Sequence, residues 1–270
     1  MLAGFGAAGR LRILTDPREM RVKSIVCVKR VPDTEARLRI AGDEKSVEAA
    51  GVKFVLNPYD EFAVEAALKH KEAAGSGEVT AISVGGAESA ETLRTALAMG
   101  ADNAVLLKTS ARAEGLAVAR VLAEEIKGRE YDLLLFGMKA IDDDLQAVGP
   151  MTAELLGIPA ASAVTEFSVA DGKVTAQREI EGGHEVVELR TPCALTMTKG
   201  AYEPRYASLK GIMAAKKKPL EEKAATTGDA GVETRKLSYP AERQAGRIVG
   251  QGADAVPALL KLLREEAKVI

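Results

Sequence analysis

Tryptophan is absent, and phenylalanine and tyrosine together make up only 4% of the 270 residues. A surface that stacks successive bases needs several such rings, so the composition argues against a single-stranded nucleic-acid platform. Cysteine occurs twice, as Cys27 and Cys193. Two thiols cannot make a disulfide framework, and Cys27 stands inside an apolar run, where a buried reduced thiol is expected; the pair suggests a reducing compartment, and a bacterial cytoplasmic location is expected. The two histidines are equally uninformative. His70 falls near a predicted helix end, where it would answer the dipole, and His184 falls at a turn; neither has a nucleophile or metal partner nearby in sequence, so neither catalysis nor a metal site is expected of them. No apolar run approaches the ~18–20 residues of a membrane span, so no membrane insertion is expected. Thirty-seven basic against 39 acidic residues leave no global field to recruit nucleic acid.

What is present is ordinary globular material, 47% hydrophobic and 28% charged, enough for one large α/β domain or two small ones. Residues 1–19 carry no adequate apolar segment for a signal peptide and read as a non-core extension. From Lys23 the pattern alternates. Ser24–Val28 is a run suited to a strand buried on both faces. Asn57-Pro58 opens a helix reaching about Lys71, with Asn57 as the expected N-cap and Phe62, Ala63, Ala66 and Ala67 on one stripe. Val79–Val84 (strand), Glu88–Met99 (helix), Ala104–Leu107 (strand), Gly115–Lys127 (helix) and Asp132–Phe136 (strand) continue the rhythm. Buried strands separated by helices predict an α/β, doubly wound, mostly parallel sheet with right-handed crossovers.

The rhythm changes after Leu156. Val164–Val169, Lys173–Ile180 and Glu185–Leu189 are divided by Asp171-Gly172 and Gly182-Gly183, which predict an antiparallel hairpin extension. Pro192–Met197 returns to a buried strand. Then comes Glu203–Lys218, cationic and polar at both ends with Leu209, Ile212 and Met213 between: a poor core element and a good exposed docking loop. Beyond it the chain is polar apart from Arg247-Ile248-Val249 and a last helix near Ala255–Ala267. Such a tail buries too little to hold itself together and is expected to wrap a partner.

In an open parallel sheet, ligands bind beyond the carboxyl ends of the strands, where strand order reverses. Cys27-Val28-Lys29, Asn57-Pro58-Tyr59-Asp60, Val84-Gly85-Gly86 and Gly137–Thr152 converge there. The last, a long loop entering a helix at Gly149-Pro150, offers free backbone N–H groups and a positive dipole end suited to a phosphate. The triplet Asp142-Asp143-Asp144 leaves three readings: a magnesium site, carboxylates that shape the loop by accepting from its amides, or a nucleotide site with one carboxylate on a ribose hydroxyl.

Several of these pieces resemble one family. Lys29-Arg30-Val31, Asn57-Pro58-Tyr59-Asp60-Glu61-Phe62-Ala63-Val64-Glu65, Glu91–Asp102, Ala140-Ile141-Asp142-Asp143-Asp144, Arg178–Gly183 and Glu203–Lys218 are similar to the β subunit of electron-transfer flavoprotein, in that family's order, over residues 20–221. The resemblance implies an adenine nucleotide α-hydrolase-like domain with its hairpin at 20–200, a partner-recognition loop at 201–218 and a C-terminal arm at 219–270 packing on an α subunit. It implies a heterodimer whose redox FAD is held mainly by α, while β buries a structural AMP and catalyses nothing. Carried over residue by residue, the AMP contacts would be Cys27, Asn57, Pro58, Tyr59, Asp60, Val84, Ile141, Asp142, Asp143, Asp144, Leu145, Gln146, Ala147, Val148, Gly149, Pro150, Met151 and Thr152. Docking would use Arg205, Tyr206, Ala207, Ser208, Leu209, Lys210, Gly211, Ile212, Met213 and Ala214, with Leu209 anchoring in a pocket of acyl-CoA dehydrogenases. Glu179 would contact the α subunit and its flavin domain, and electrons would pass on to a quinone oxidoreductase at the membrane.

The chain departs from the carrier pattern at Val148 and Pro150, where carriers usually have Thr and Gln. Val148-Gly149-Pro150 and Pro32-Asp33-Thr34 look like the electron-bifurcating branch, whose β subunit holds a second FAD in place of AMP. Asp143, Tyr59 and the Glu203–Lys218 loop look like the simple carriers. A stand-alone adenine-nucleotide-binding stress-type module would need neither hairpin, docking loop nor tail. An ATP-pyrophosphatase would need a Ser-Gly-Gly-x-Asp-Ser loop after the first strand, which this chain lacks.

Overall fold

The computed structural model describes residues 22–109, 113–228, 231–242 and 245–270. The expected extension at 1–19 lies outside the described residues. These residues fall into two compact units, one comprising those up to Arg39 with Val47–Thr234, the other Ile40–Ser46 with Arg235–Ile270.

The first unit is built on strand β1 (Val22–Cys27), whose side chains are buried on both faces: Val22 and Val26 enter one core, Ile25 and Cys27 the other. Chain order continues through β2 (Arg30–Pro32), β3 (Phe54–Leu56), α1 (Pro58–Ala74), β4 (Gly77–Gly85), α2 (Ser89–Met99), β5 (Asn103–Lys108), α3 (Gly115–Lys127), β6 (Leu133–Gly137) and α4 (Val148–Leu156). Strands β7 (Ala160–Ala170), β8 (Lys173–Ile180), β9 (Gly183–Arg190) and β10 (Cys193–Met197) follow, then α5 (Leu209–Ala215) and β11 (Leu220–Ala224). Nine strands form one sheet in the order β11-β5-β4-β1-β6-β10-β7-β8-β9. All neighbours are parallel as far as β7, and β7-β8-β9 is antiparallel. Helices α1 and α2 contribute to one core and α3 and α4 to the other, so the sheet is doubly wound as the alternation predicted. The small pair β2-β3 stands apart, with the Arg30 guanidinium 3.6 Å above the Phe54 ring.

Local signals set most boundaries. Helix α1 runs three residues past Lys71 because Gly75 is the first residue that takes the left-handed conformation, φ 67°, and its N–H closes the helix on the Glu72 carbonyl. The β7-β8 turn has Asp171 and Gly172 at φ 50° and 69°, the paired positive values that a two-residue hairpin requires. Between the parallel and antiparallel parts of the sheet, β7 carries an irregularity opposite Leu195–Met197. Ala163 there has φ 57°, and its N–H donates to Thr196 Oγ1 at 3.1 Å.

Three expectations need correction. The chain after residue 219 was expected as an arm, but Leu220–Ala224 adds a parallel strand to β5 at the sheet edge. Its charges are those an edge strand tolerates: Lys223 pairs with Glu125 at 2.8 Å and Glu222 with Lys108 at 3.1 Å. The segment 201–218 is not wholly loop, since Ser208 caps α5 by accepting from the Gly211 N–H at 3.0 Å. His70 is no dipole partner at a helix end. It is buried, stacked on Phe167 with ring centroids 4.0 Å apart, and hydrogen-bonded to the Tyr202 hydroxyl at 2.9 Å.

The second unit is small. Tyr239 accepts from the Ile40 N–H at 3.0 Å, and the Leu237 N–H donates to the Glu44 carbonyl at 2.7 Å. Its helix α6 (Val256–Glu265) leaves Val256, Leu259 and Leu260 exposed. Among the described residues no helix is long and apolar enough to cross a membrane.

Burial pushes His70 down to about 4, well below its ordinary value. The unfolded chain therefore takes up a proton near pH 6.5 while the folded chain refuses it, and stability is lost as pH falls from about 6.5 towards 4. Thermal or urea melts at pH 7 and 5 should show His70→Gln escaping a loss of about 1–2 kcal/mol that the wild type suffers.

Candidate nucleotide site at the sheet switch point

Strand order reverses between β1 and β6. The chain moves outward from β1 through β4 to β5, then returns to lay β6 on the other side of β1. Cys27, the last residue of β1, pairs in register with Ile82 of β4 and Phe136 of β6, so three carboxyl ends lie side by side. Burial pushes the Cys27 thiol well up, in keeping with an inert reduced cysteine.

Asp60 holds this crevice together. It sits in the first turn of α1, almost fully buried, and accepts from the Lys29 N–H at 2.7 Å and the Gly137 N–H at 3.1 Å. One carboxylate thus ties the chain leaving β1 to the chain leaving β6. Gly137 has no room for anything larger, because a Cβ there would collide with the Asp60 carboxylate and lie 2.7 Å from the Asp60 nitrogen. Burial drives the Asp60 carboxyl up to about 7, with the hydrogen bonds from Asn57, Lys29 and Gly137 opposing it.

Asn57 occupies the N-cap position of α1 but does not cap it. Its side chain reaches across, donating to the Lys139 carbonyl at 2.8 Å and accepting from the Ile141 N–H at 3.2 Å. Pro58 takes the helix start, where its missing N–H costs nothing. Tyr59 is half-buried, with Lys139 Nζ 5.6 Å from its ring centroid.

The loop 138–147 is shaped by its own charges. Lys29 Nζ meets Asp142 at 2.7 Å and Asp143 at 2.8 Å, and Lys139 Nζ meets Asp144 at 2.9 Å. Asp143 also accepts from the Leu145 N–H at 3.2 Å. Among the described residues no group of three acidic, histidine or cysteine side chains could hold a metal. Of the three readings left open, the triplet's contacts are those of loop-shaping carboxylates answered by two lysines. Asp144 and Gln146 stand at φ 50° and 56°. Two non-glycine residues in that region within three positions store on the order of 1–3 kcal/mol each, a strain typical of ligand clamps. Leu145 reaches Gly115 at the start of α3, where a Cβ would strike its side chain.

Two helices begin near this loop, and among the described residues a side chain takes up the first amides of only one. At α3 the Glu114 carboxylate accepts from Leu116 at 2.9 Å and Ala117 at 3.0 Å. At α4 no side chain caps the helix, leaving the amides of Val148 and Gly149 without an intrahelical acceptor. Gly149 must be glycine for packing, since a Cβ would stand 2.7 Å from Thr196 Cγ2 and 3.2 Å from Phe136. Thr152, buried, donates to the Val148 carbonyl at 2.7 Å, while Ala147 and Met151 are joined by the first helical bond. Val84 is half-buried at the end of β4.

The structure therefore gathers the segments around Cys27, Asn57–Asp60 and Ile141–Thr152 at one crevice and brings the end of β4 alongside. The sequence left Lys29 and Lys139 without a role. The signal was a triple negative charge needing compensation; Lys139 stands five residues from Asp144, but Lys29 lies over a hundred residues from Asp142 and Asp143.

The second candidate site is separate. In α5, Gly211 and Ala215 face inward; a Cβ on Gly211 would lie 2.6 Å from the Ala98 carbonyl of α2, and Ala215 is buried. Leu209, Ile212 and Met213, at helical spacing on the other face, are exposed by 84%, 44% and 64%, and Tyr206 by 99%. Glu179 is exposed near the β8-β9 tip, opposite His184.

Comparison with known proteins adds a family. Residues 45–227 match the family model described as electron transfer flavoprotein domain. A curated relative from Bradyrhizobium diazoefficiens, named electron transfer flavoprotein subunit beta, is 42% identical over 92% of this chain and 100% of its own length. Relatives of the same name from Bacillus subtilis and Mus musculus are 39% and 41% identical, over 91% and 90% of this chain and 98% of each relative.

A titration of the Asp60 side-chain carbon by NMR should have its midpoint near 7, and the Lys29 and Gly137 amides should shift with it, because a proton on the carboxyl costs one of their acceptors. A midpoint near 4 would mean that the N–H bonds outweigh burial.

Proposed function

The chain belongs to the electron transfer flavoprotein family as a β-type subunit, and from that premise we propose that it is the nucleotide-plugged, partner-docking half of a heterodimer. The observation that carries the nucleotide reading is the uncapped start of α4 at the switch point, beside a strained loop whose carboxylates are already answered by Lys29 and Lys139. Backbone N–H groups and a helix dipole suit a phosphate. The donor set fits AMP: Val148 and Gly149 amides toward the phosphate, with Cys27, Asn57–Asp60, Val84 and Ile141–Thr152 framing the nucleotide. AMP in this place is structural. It fills the crevice that Asp60 and Asn57 hold open, and it asks no chemistry of the chain.

The docking reading rests on the exposed face of α5. A carrier that serves several dehydrogenases needs an anchor that holds briefly. Burying one leucine contributes roughly 1.5–3 kcal/mol, enough to orient a transient complex without locking it. Leu209 is that anchor for acyl-CoA dehydrogenases, while Lys210, Lys216 and Lys217 beside it attract acidic surfaces. Glu179 at the hairpin tip, together with the C-terminal arm, meets the α partner. FAD, held mainly by α, supplies the electron-accepting ring, and the membrane quinone oxidoreductase receives the electrons. This chain catalyses nothing.

A second reading, a bifurcating flavoprotein with a second FAD in place of AMP, draws on two features of α4. Val148 brings no hydroxyl to the helix start, and Pro150 removes one N–H from the first turn. Both reduce the phosphate-binding capacity that a small nucleotide depends on.

Nucleotides extracted from the purified heterodimer should amount to one FAD and one AMP; two FAD and no AMP would select the second reading. Leu209→Ala should slow reduction of the heterodimer by acyl-CoA dehydrogenases roughly tenfold at limiting dehydrogenase, the loss expected of one buried anchor, with FAD content and subunit pairing unaltered. Unchanged kinetics would remove the anchor.

A further inference from the structure

Glu65 is a carboxylate 1% exposed on α1, among Ala63, Val64, Ala66, Ala67 and Leu68. Nothing at the nucleotide crevice uses it. It is answered from the far end of the sequence: Arg205 Nε and Nη2 donate to its two oxygens at 2.7 and 3.0 Å, and the Arg205 backbone N–H adds a third bond at 3.3 Å. The same guanidinium engages Glu72, two helical turns on, through Nη1 at 2.5 Å and Nη2 at 3.1 Å. Its fork is therefore matched twice, by two carboxylates of one helix. These contacts raise the Arg205 pKa further and lower that of Glu72.

Arg205 lies four residues before α5. A second cation closes the other end: Arg94 Nη1 donates to the carbonyls of Ala215 at 2.6 Å and Lys218 at 2.9 Å. Lys218 in turn donates to the Leu97 carbonyl of α2 at 3.0 Å and to the Ala101 carbonyl just past its end at 2.6 Å. Between these ends Gly211 packs against the Ala98 carbonyl of α2 and Ala215 is buried. Seven residues are too few to hold a helix by themselves.

We propose that Arg205 is a positioning residue which, clamped between Glu65 and Glu72, pre-forms the exposed helix and fixes the direction in which Leu209, Ile212 and Met213 point. The guanidinium is spent on this chain's own carboxylates, so it does not grip the partner. Its contribution is to remove the ordering cost that a free loop would meet at each encounter. This proposal rests on the docking reading of α5.

The test uses the whole heterodimer with an acyl-CoA dehydrogenase as electron donor, and compares Arg205→Ala, Arg205→Lys, Glu72→Ala and Leu209→Ala by hydrogen exchange and steady-state kinetics. Arg205→Ala should speed amide exchange across Ser208–Ala215 and raise the KM for the dehydrogenase by about tenfold, the cost of re-ordering one or two side chains, with kcat unchanged. Arg205→Lys, which answers one carboxylate with a single ammonium, should recover part of both. Leu209→Ala should raise KM and leave exchange alone. A raised KM in Arg205→Ala without faster exchange would make Arg205 a direct partner contact and overturn the proposal. So would faster exchange with an unchanged KM while Leu209→Ala remains impaired. If neither variant moves KM, the docking reading itself fails and the proposal falls with it. Should Arg205→Ala not fold, Glu72→Ala, which removes only the exposed carboxylate, carries the same test with a KM rise of roughly two- to threefold; an unchanged KM there overturns the proposal.

Discussion

One buried carboxylate governs the crevice. Asp60 accepts from the first residue pair beyond β1 and from the last residue of β6, so the two strands that flank the switch point cannot part without breaking its bonds. The same residue belongs to the first turn of α1, which places that helix start, and with it Asn57, against the loop after β6. Every other feature of the candidate site follows. Asn57 can bridge to Lys139 and Ile141 only from there, and the loop can reach Gly115 and enter α4 only if its first residues are pinned. A buried acid is expensive to desolvate. Here that expense is offset by hydrogen bonds to backbone groups that would otherwise face an open crevice unpaired.

Much of this architecture was legible because the core strands are apolar on both sides and short. Ile25, Val26 and Cys27 suit a sheet covered on both faces, and Asp171-Gly172 and Gly182 punctuate it where the backbone must turn left-handed. The crevice was legible as well, since loops that follow buried parallel strands must emerge on the same edge. What the sequence concealed depends on charge. Leu220–Ala224 reads as solvated arm because an edge strand has only one partner and carries charged residues on its open side. Lys29, Glu65 and Arg94 are ordinary surface residues by type. Their partners lie far along the chain, and such long-range contacts leave no periodic trace.

His70 shows the opposite failure. Its position near the end of a helix suggested a dipole contact, yet its ring is stacked on Phe167 and held by Tyr202. Two of the chain's ten phenylalanines and tyrosines, Phe167 and Tyr202, meet this histidine at one point, and such stacked contacts add stability beyond area alone.

The seam between α5 and α2 has a consequence for how such a subunit diversifies. The helix leans on its neighbour through a glycine and an alanine, and neither Leu209, Ile212 nor Met213 contributes to the core. Outward substitutions at those three positions are nearly free of folding cost, in the range of ±0.5 kcal/mol typical of exposed sites. The exposed face of α5 can thus change by point mutation while the scaffold beneath stays under its own, separate selection.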